Sequence, residues 1–327
     1  MKMAEKKINT IAILTSGGDA PGMNAVIRAV VRSGINNGFA VKGIERGYAG
    51  LLNEEIIDFS TESVKNIIER GGTMLYTARC EEMMHSSGQK KAADILKKHG
   101  IDAVVVAGGD GSFRGAQSLA SQGIRVMGIP CTIDLDIGCT EYTIGFDTAV
   151  NTAMEAVDKI RDTSASHERC SIIEVMGRSA GYLGLWCGIA SGAEEILLPE
   201  LYDGDEQKII DRITESRQKG KKQFIIINAE GVGHSASMAR RIEAATGIDT
   251  RATILGHMQR GGSPTCRDRV AASVMGDMAV QLLANGIYNR VIAWKDGKYT
   301  HFDIEESAQM TKELDEDLVR IPRTLKR

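Results

Sequence analysis

The chain of 327 residues carries 40 Lys and Arg against 43 Asp and Glu, a formal net charge of −3, with 43% hydrophobic and 25% charged residues. This length suits about two domains, each able to bury a core without disulfides or metal. The composition excludes a fibre, a disordered chain and a protein drawn to nucleic acid or anionic membrane by its overall charge.

The start, MKMAEKK, is charged and lacks the apolar segment of a secretory leader. The first strand-like run, Ile8 to Leu14, enters a glycine loop, Gly17-Gly18-Asp19, and then a helical pattern. After a run from Phe39 to Ile44, the segment Gly88 to His99 reads as a helix stopped by Gly100 as a left-handed cap. The run Asp102 to Val106 opens into a second glycine loop, Gly108-Gly109-Asp110-Gly111-Ser112, and Arg125 to Ile129 into Pro130-Cys131-Thr132-Ile133-Asp134-Leu135-Asp136. Further runs are Ser171–Val175, Glu195–Leu198, Gln223–Asn228, Arg251–Leu255 and Arg290–Trp294, and Thr311–Arg327 reads as a charged surface helix with a frayed end. Continuous apolar runs between helices predict an α/β protein whose mainly parallel strands are covered on both faces. Ligands of such sheets gather at the carboxyl ends of strands, where the glycine loops fall.

The six cysteines, Cys80, Cys131, Cys139, Cys170, Cys187 and Cys266, form no C-x-x-C pair and read as reduced thiols of a cytoplasmic protein. No run approaches the ~20 apolar residues of a membrane span. Neither a nucleic-acid nor a membrane partner is expected.

The segment Leu14 to Asn24 suits phosphate at a helix N-terminus, yet it fits neither the P-loop nor the G-x-G-x-x-G spacing and reads equally well as a tight βα turn. In the second glycine loop, Asp110 is placed to hold Mg²⁺ on phosphates, since hard cations prefer oxygen, or to close an Asx turn. Asp134 and Asp136, spaced i and i+2 among apolar neighbours, suit proton abstraction and metal binding, or a solvated acidic turn. Arg169, Arg178, Arg251 and Arg260 lie at the edges of strand runs with His257 nearby, and arginine suits phosphate. An aspartate-rich half and an arginine-rich half together point to phosphoryl transfer between two anionic substrates.

With these segments stand Arg70-Gly-Gly-Thr73, Tyr142-Thr-Ile-Gly145, Arg161 to His167, Glu174-Val-Met-Gly-Arg178 and Leu255 to Ser263. In this order, from about residue 8 to about 310, the sequence resembles the bacterial ATP-dependent 6-phosphofructokinase family. The resemblance implies two Rossmann-like lobes: residues 1–145 plus 259–308 for ATP and Mg²⁺, and 146–258 plus 309–327 for the sugar phosphate. It implies the glycolytic phosphorylation of fructose 6-phosphate at its 1-hydroxyl. By position, Asp134 resembles the general base, Thr132 its hydroxyl-bearing neighbour, and Arg178 the cation at the transferring phosphoryl group. Gly18, Arg79, Cys80, Gly108, Gly109, Asp110, Gly111 and Ser112 match ATP positions, with Asp110 and Asp136 as metal contacts. Thr132, Ile133, Asp134, Met176, Gly177, Arg178, Glu230, His257, Met258, Gln259 and Arg260 match sugar-phosphate positions. Arg169 and Arg251 match arginines that reach a neighbouring subunit's sugar phosphate, which implies a homotetramer.

Several positions depart from the family's usual pattern. Cys131 and Leu135 stand in a motif that usually reads P-G-T-I-D-N-D, and Met84 replaces an arginine near the ATP site. Pyrophosphate-using relatives usually carry Lys at position 131 and Asp at 111, so Cys131 and Gly111 favour ATP. Arg28 and Arg32 share a helix face, and with Arg161, Gly192, Glu194, Lys219, Lys221 and Lys222 they resemble a site for ADP or phosphoenolpyruvate as effector. Thr61 and Gln223 replace an arginine and a histidine of that site, and a solvated basic patch is the alternative. Competing readings are a pyrophosphate-dependent kinase and a non-catalytic sugar-phosphate-binding paralogue.

Overall fold

The computed structural model describes residues 7–325, in which twelve strands form. They are β1 (Thr10–Thr15), β2 (Ala40–Ile44), β3 (Ile56–Phe59), β4 (Ala103–Gly108), β5 (Arg125–Thr132) and β6 (Ile144–Gly145), then β7 (Cys170–Val175), β8 (Glu195–Leu197), β9 (Phe224–Ala229), β10 (Thr250–Ile254), β11 (Arg290–Lys295) and β12 (Lys298–Asp303). Residues 1–6, which hold most of the charged opening, and 326–327, at the expected frayed end, lie outside the described residues. Each apolar run named above forms a strand. The helix expected from Gly88 spans Ser86–Lys98, with Gly100 at φ 64 beyond it.

The chain forms two compact units. The first comprises the chain up to Thr132, Ile137–Asp147 and Arg260–Lys312; the second comprises Ile133–Asp136, Thr148–Gln259 and the chain from Glu313. The sequence puts the boundaries after residues 145, 258 and 308; the contacts put them after Asp147, Gln259 and Lys312, and give Ile133–Asp136 to the second unit.

In the first unit the strand order is β12-β11-β5-β4-β1-β2-β3, with β6 beside the end of β5. The inner pairs are parallel, while β2–β3 and β11–β12 are antiparallel. Ala12 and Leu14 of β1 pack with Ala92, Leu96, Phe113 and Leu119 from the helices Ser86–Lys98 and Asp110–Ser121. Ile11 faces the opposite helix, Met23–Asn36, where a Cβ on Gly34 would lie 3.0 Å from its Cδ1. Both faces are therefore covered, which is why the inner stretches Ile11–Leu14 and Ala103–Ala107 are apolar; each buried Ile or Leu contributes roughly 1.5–3 kcal/mol.

The strands absent from the sequence expectation are β3, β6 and β12. β3 and β12 are antiparallel edges with partly exposed residues, so neither shows a continuous apolar run. The β11–β12 turn did carry a signal: Asp296 and Gly297 take φ 52 and 73, the left-handed pair favoured in two-residue hairpins.

The order in which strands are added across the sheet reverses between the parallel neighbours β1 and β4, since β1 leads to β2 on one side and β4 to β5 on the other. Both glycine loops leave the carboxyl ends of this neighbouring pair, the usual place for a ligand in an open α/β sheet. The second unit is a smaller parallel sheet, β10-β7-β9-β8, around a core that includes Ile172, Phe224, Ile226 and Ile242. Among the described residues no helix is long and apolar enough to cross a membrane.

Candidate active site

In the first unit, the Ser16 N–H donates to the Ala107 carbonyl at 3.0 Å and draws the two glycine loops side by side. A Cβ on Gly108 would lie 2.4 Å from Ser112 Oγ and 2.6 Å from the Ser16 carbonyl oxygen, so this approach requires glycine. Asp110 opens the helix Asp110–Ser121 and is exposed, and the N–H groups of that first turn favour negative charge beside it. Gly111 is exposed as well; a Cβ there would meet only Arg114 Nη2, at 3.9 Å. Arg79 is exposed and Cys80 half-buried at the start of the short turn Glu81–Met84, where Met84 is exposed.

Arg260 belongs to this same unit. Its Nη1 donates to the Asp19 carbonyl at 2.9 Å, and a Cβ on Gly18 would lie 2.6 Å from that nitrogen. The guanidinium thus rests on the first glycine loop, which sequence alone does not reveal. Thr132, at the end of β5, adjoins the second loop: its Cβ lies 3.8 Å from where a Cβ on Gly109 would stand. Burial pushes the Cys131 thiol far above its ordinary range, first by desolvation and then by Asp268, so it is no nucleophile.

In the second unit, Asp134 is 2% exposed and its Oδ2 lies 3.5 Å from Arg178 Nε. The Arg178 side chain is 64% exposed, so a fixed, buried carboxylate meets a reachable cation. Between the two aspartates, Leu135 is buried at φ 57, a left-handed conformation that costs a leucine roughly 1–2 kcal/mol. Its apolar side chain goes into the interior, while Asp136 stays half-buried beside it. Arg178 also has positive φ, at 54, in the turn after β7, and Gly177 sits at φ 138. Glu230, just past β9, accepts from the N–H groups of Gly177 and Arg178, and Gln259 accepts from that of Met176. His257 and Met258 are exposed, whereas Gln259 is completely buried.

Asp249 draws two more of the expected residues together. Its Oδ2 lies 2.6 Å from Arg169 Nε and its Oδ1 2.8 Å from Arg251 Nε. Hydrogen bonding to Arg169, with the charge of Arg251 close by, holds its carboxyl below the usual range. The sequence reading passes over Asp249, although its place two residues before Arg251 puts both on one side of an extended chain. Arg114 is also missed, and its signal is the i, i+3 spacing from Gly111 on a helix.

Of the expected effector residues, Gly192, Glu194, Lys219 and Lys221 line one cavity of about 450 Å³, closed on another side by Ile321, Pro322 and Leu325. Lys221 pairs with Glu194 and Lys219 with Glu215, each at 2.6 Å. Lys222 reaches Glu168 instead, Arg161 bonds the Ser191 carbonyl, and Gln223 bonds the Arg161 carbonyl. Arg28 and Arg32 lie on the helix Met23–Asn36 of the first unit.

The phosphofructokinase family profile matches residues 10–283. The chain is 54% identical over 315 residues to an ATP-dependent 6-phosphofructokinase of Clostridium botulinum strain Hall, covering 96% of this chain and 98% of that one. It is 53% identical over 319 residues to an ATP-dependent 6-phosphofructokinase of Clostridium acetobutylicum, covering 97% and 99%. A phosphofructokinase structure from Saccharomyces cerevisiae is similar with a TM-score of 0.85 at 33% identity, over 92% of this chain and 45% of that longer one. A pyrophosphate-dependent phosphofructokinase from Marinobacter aquaeolei, 21% identical with a TM-score of 0.84 over 94% of this chain and 86% of that one, shares the fold.

Proposed function

The chain belongs to the phosphofructokinase family, and from that premise we propose that it transfers the γ-phosphoryl group of ATP to the 1-hydroxyl of fructose 6-phosphate. The hydroxyl oxygen bonds to the γ-phosphorus, the bond to the bridging oxygen breaks, ADP leaves, and the hydroxyl proton passes to the Asp134 carboxylate. The observation that carries this reading is the buried Asp134 carboxylate beside the exposed Arg178 guanidinium. Phosphoryl transfer asks for positioning and charge neutralisation, with a base that accepts its proton late. Arg178 supplies charge to the transferring group, the paired glycine loops offer N–H groups to the polyphosphate, and the Thr132 hydroxyl steadies the phosphoryl oxygens.

Among the described residues no three His, Cys, Asp or Glu side chains converge as a ready metal cage. That suits Mg²⁺, which commonly takes one or two carboxylates and completes its shell with phosphates and water. The exposed Asp110 would hold the ion, Asp136 is the other carboxylate carried over from the family resemblance, and the ion would supply positive charge to the phosphates of ATP.

The open approach above Gly111 and the absence of a lysine at Cys131 support ATP as donor. Fructose 1,6-bisphosphate formation measured with ATP and with pyrophosphate in parallel tests this. Product from ATP alone is expected; faster product from pyrophosphate would reassign the donor, and none from either would leave a binding protein. The working form is a cytoplasmic homotetramer in which Arg169 and Arg251 serve a neighbouring subunit's sugar phosphate. An anionic effector such as ADP or phosphoenolpyruvate would enter the Lys219–Lys221 cavity by displacing Glu194 and Glu215 from the lysines.

A further inference from the structure

Three consecutive backbone N–H groups after β7 are taken up by side chains. Met176 donates to Gln259 Oε1 at 2.9 Å, and Gly177 and Arg178 donate to Glu230 Oε1 at 3.1 and 2.5 Å. The rest of the turn is held as firmly. The Ala180 N–H donates to the Gly177 carbonyl at 2.9 Å, and a Cβ on Gly231 would lie 2.5 Å from the Arg178 carbonyl oxygen. Together these contacts keep Arg178 at φ 54, a conformation an unconstrained arginine would leave.

Gln259 is the unusual member of this clamp. It sits in the short turn Gly256–Arg260 after the exposed His257 and Met258, yet it is 0% exposed and its Nε2 has no hydrogen-bond partner. A buried amide that leaves its donor idle is costly, so the acceptor must be what matters at this position. A side chain so enclosed is also poorly placed to touch a sugar phosphate.

We propose that Gln259 is a positioning residue: its carbonyl oxygen fixes Met176 and, through the Met176–Arg178 turn, aims Arg178 at Asp134. This rests on the assignment of Asp134 and Arg178 made under the proposed function.

Two substitutions separate the acceptor from the packing. Gln259→Met keeps the length and removes the carbonyl, while Gln259→Glu keeps an acceptor oxygen. We expect Gln259→Met to lower kcat by roughly 10–100-fold, because small misplacements of a group at the chemistry are felt this strongly. The KM for fructose 6-phosphate should move less than about threefold, since ground-state binding is not what is lost. Gln259→Glu should recover at least about tenfold of that kcat, and adding Gln259→Met to Arg178→Ala should cost nothing further, as expected for residues acting as one unit.

Unchanged kcat in Gln259→Met, equal losses in the Met and Glu variants, or failure of Gln259→Met to fold would overturn the proposal; the last would make Gln259 a determinant of the fold. Losses that multiply in the double variant would also overturn it while leaving Arg178 in its role. Unimpaired turnover in Arg178→Ala alone would instead remove the assignment beneath it, and the proposal with it.

Discussion

Asp134 combines a carboxylate almost closed to solvent with a guanidinium at 3.5 Å, so its amide analogue keeps the size and loses the proton acceptor. Asp134→Asn should lower kcat by roughly 10²–10⁴-fold, while fructose 6-phosphate binding, measured by calorimetry, stays nearly unchanged. Near-normal turnover would remove Asp134 from the role of base. At Gly111 a carboxylate should repel the α-phosphate of ATP, but Arg114 Nη2 lies 3.9 Å from the Cβ position and would partly neutralise it. Gly111→Asp alone should therefore raise the KM for ATP modestly, and the same change with Arg114→Ala should raise it further. Equal KM values in the two variants would show that Arg114 does not compensate. Cysteine chemistry follows exposure: Cys266 is exposed and Cys80 half-buried, while burial pushes the thiols of Cys131, Cys139, Cys170 and Cys187 upward. A thiol reagent applied to the native protein should label Cys266 first and spare Cys131; early labelling of Cys131 would mean that the β5 end opens readily.

Secondary-structure elements near the end of β5 are joined by one buried carboxylate. Asp268, in the first turn of the helix Cys266–Ala284, accepts from the Tyr142 hydroxyl at 2.5 Å and from the Gly145 N–H at 2.8 Å. It thereby ties that helix to β6, which pairs with Cys131 and Thr132 of β5. Desolvation, and then Asp268 itself, push the Tyr142 hydroxyl well above its ordinary range, so it stays a proton donor to this carboxylate. Tyr142→Phe deprives the buried carboxylate of one donor and should cost roughly 1–3 kcal/mol, read as a lower melting temperature. A melting temperature equal to that of the parent would show that the carboxylate finds another donor.

For the molecule as a whole, the arrangement of Arg169 and Arg251 makes subunit exchange the informative experiment. Both guanidinium groups converge on Asp249, and the Arg251 side chain is 65% exposed, so it is open to an anionic group from outside its own chain. If these arginines complete a neighbour's sugar-phosphate site, Arg251→Ala damages the adjoining subunit's site and Asp134→Asn damages only its own. Co-refolding the two variants should then restore part of the activity that neither has alone, with tetramers verified by light scattering. Hybrids that form and remain as inactive as the separate variants would place Arg251 within its own chain's site, or outside it.

Much of this protein was legible before folding because its information is local. A strand covered on both faces must be largely apolar, as in Ile11–Leu14 of β1 and Ala103–Ala107 of β4, and a backbone that approaches another closely must be glycine, as at Gly108. The ordered motifs around Asp110, Asp134 and Arg178 likewise indicated the family that the comparisons establish. Antiparallel edges such as β3 and β12 escaped, since partial exposure relaxes the demand for apolar residues. Only the tertiary structure decided the partners of polar side chains far apart in sequence. It seated Arg260 on Gly18 and Asp19, joined Arg169 and Arg251 through Asp249, and buried Gln259 against Met176. Apart from Asp249 and Arg251, which an i, i+2 spacing brings to one side of an extended chain, those pairings join residues as far as 241 positions apart that no local pattern selects. A hydrogen bond or ion pair is specified by where the backbone delivers its two ends, and that is settled only when the strands and helices have packed.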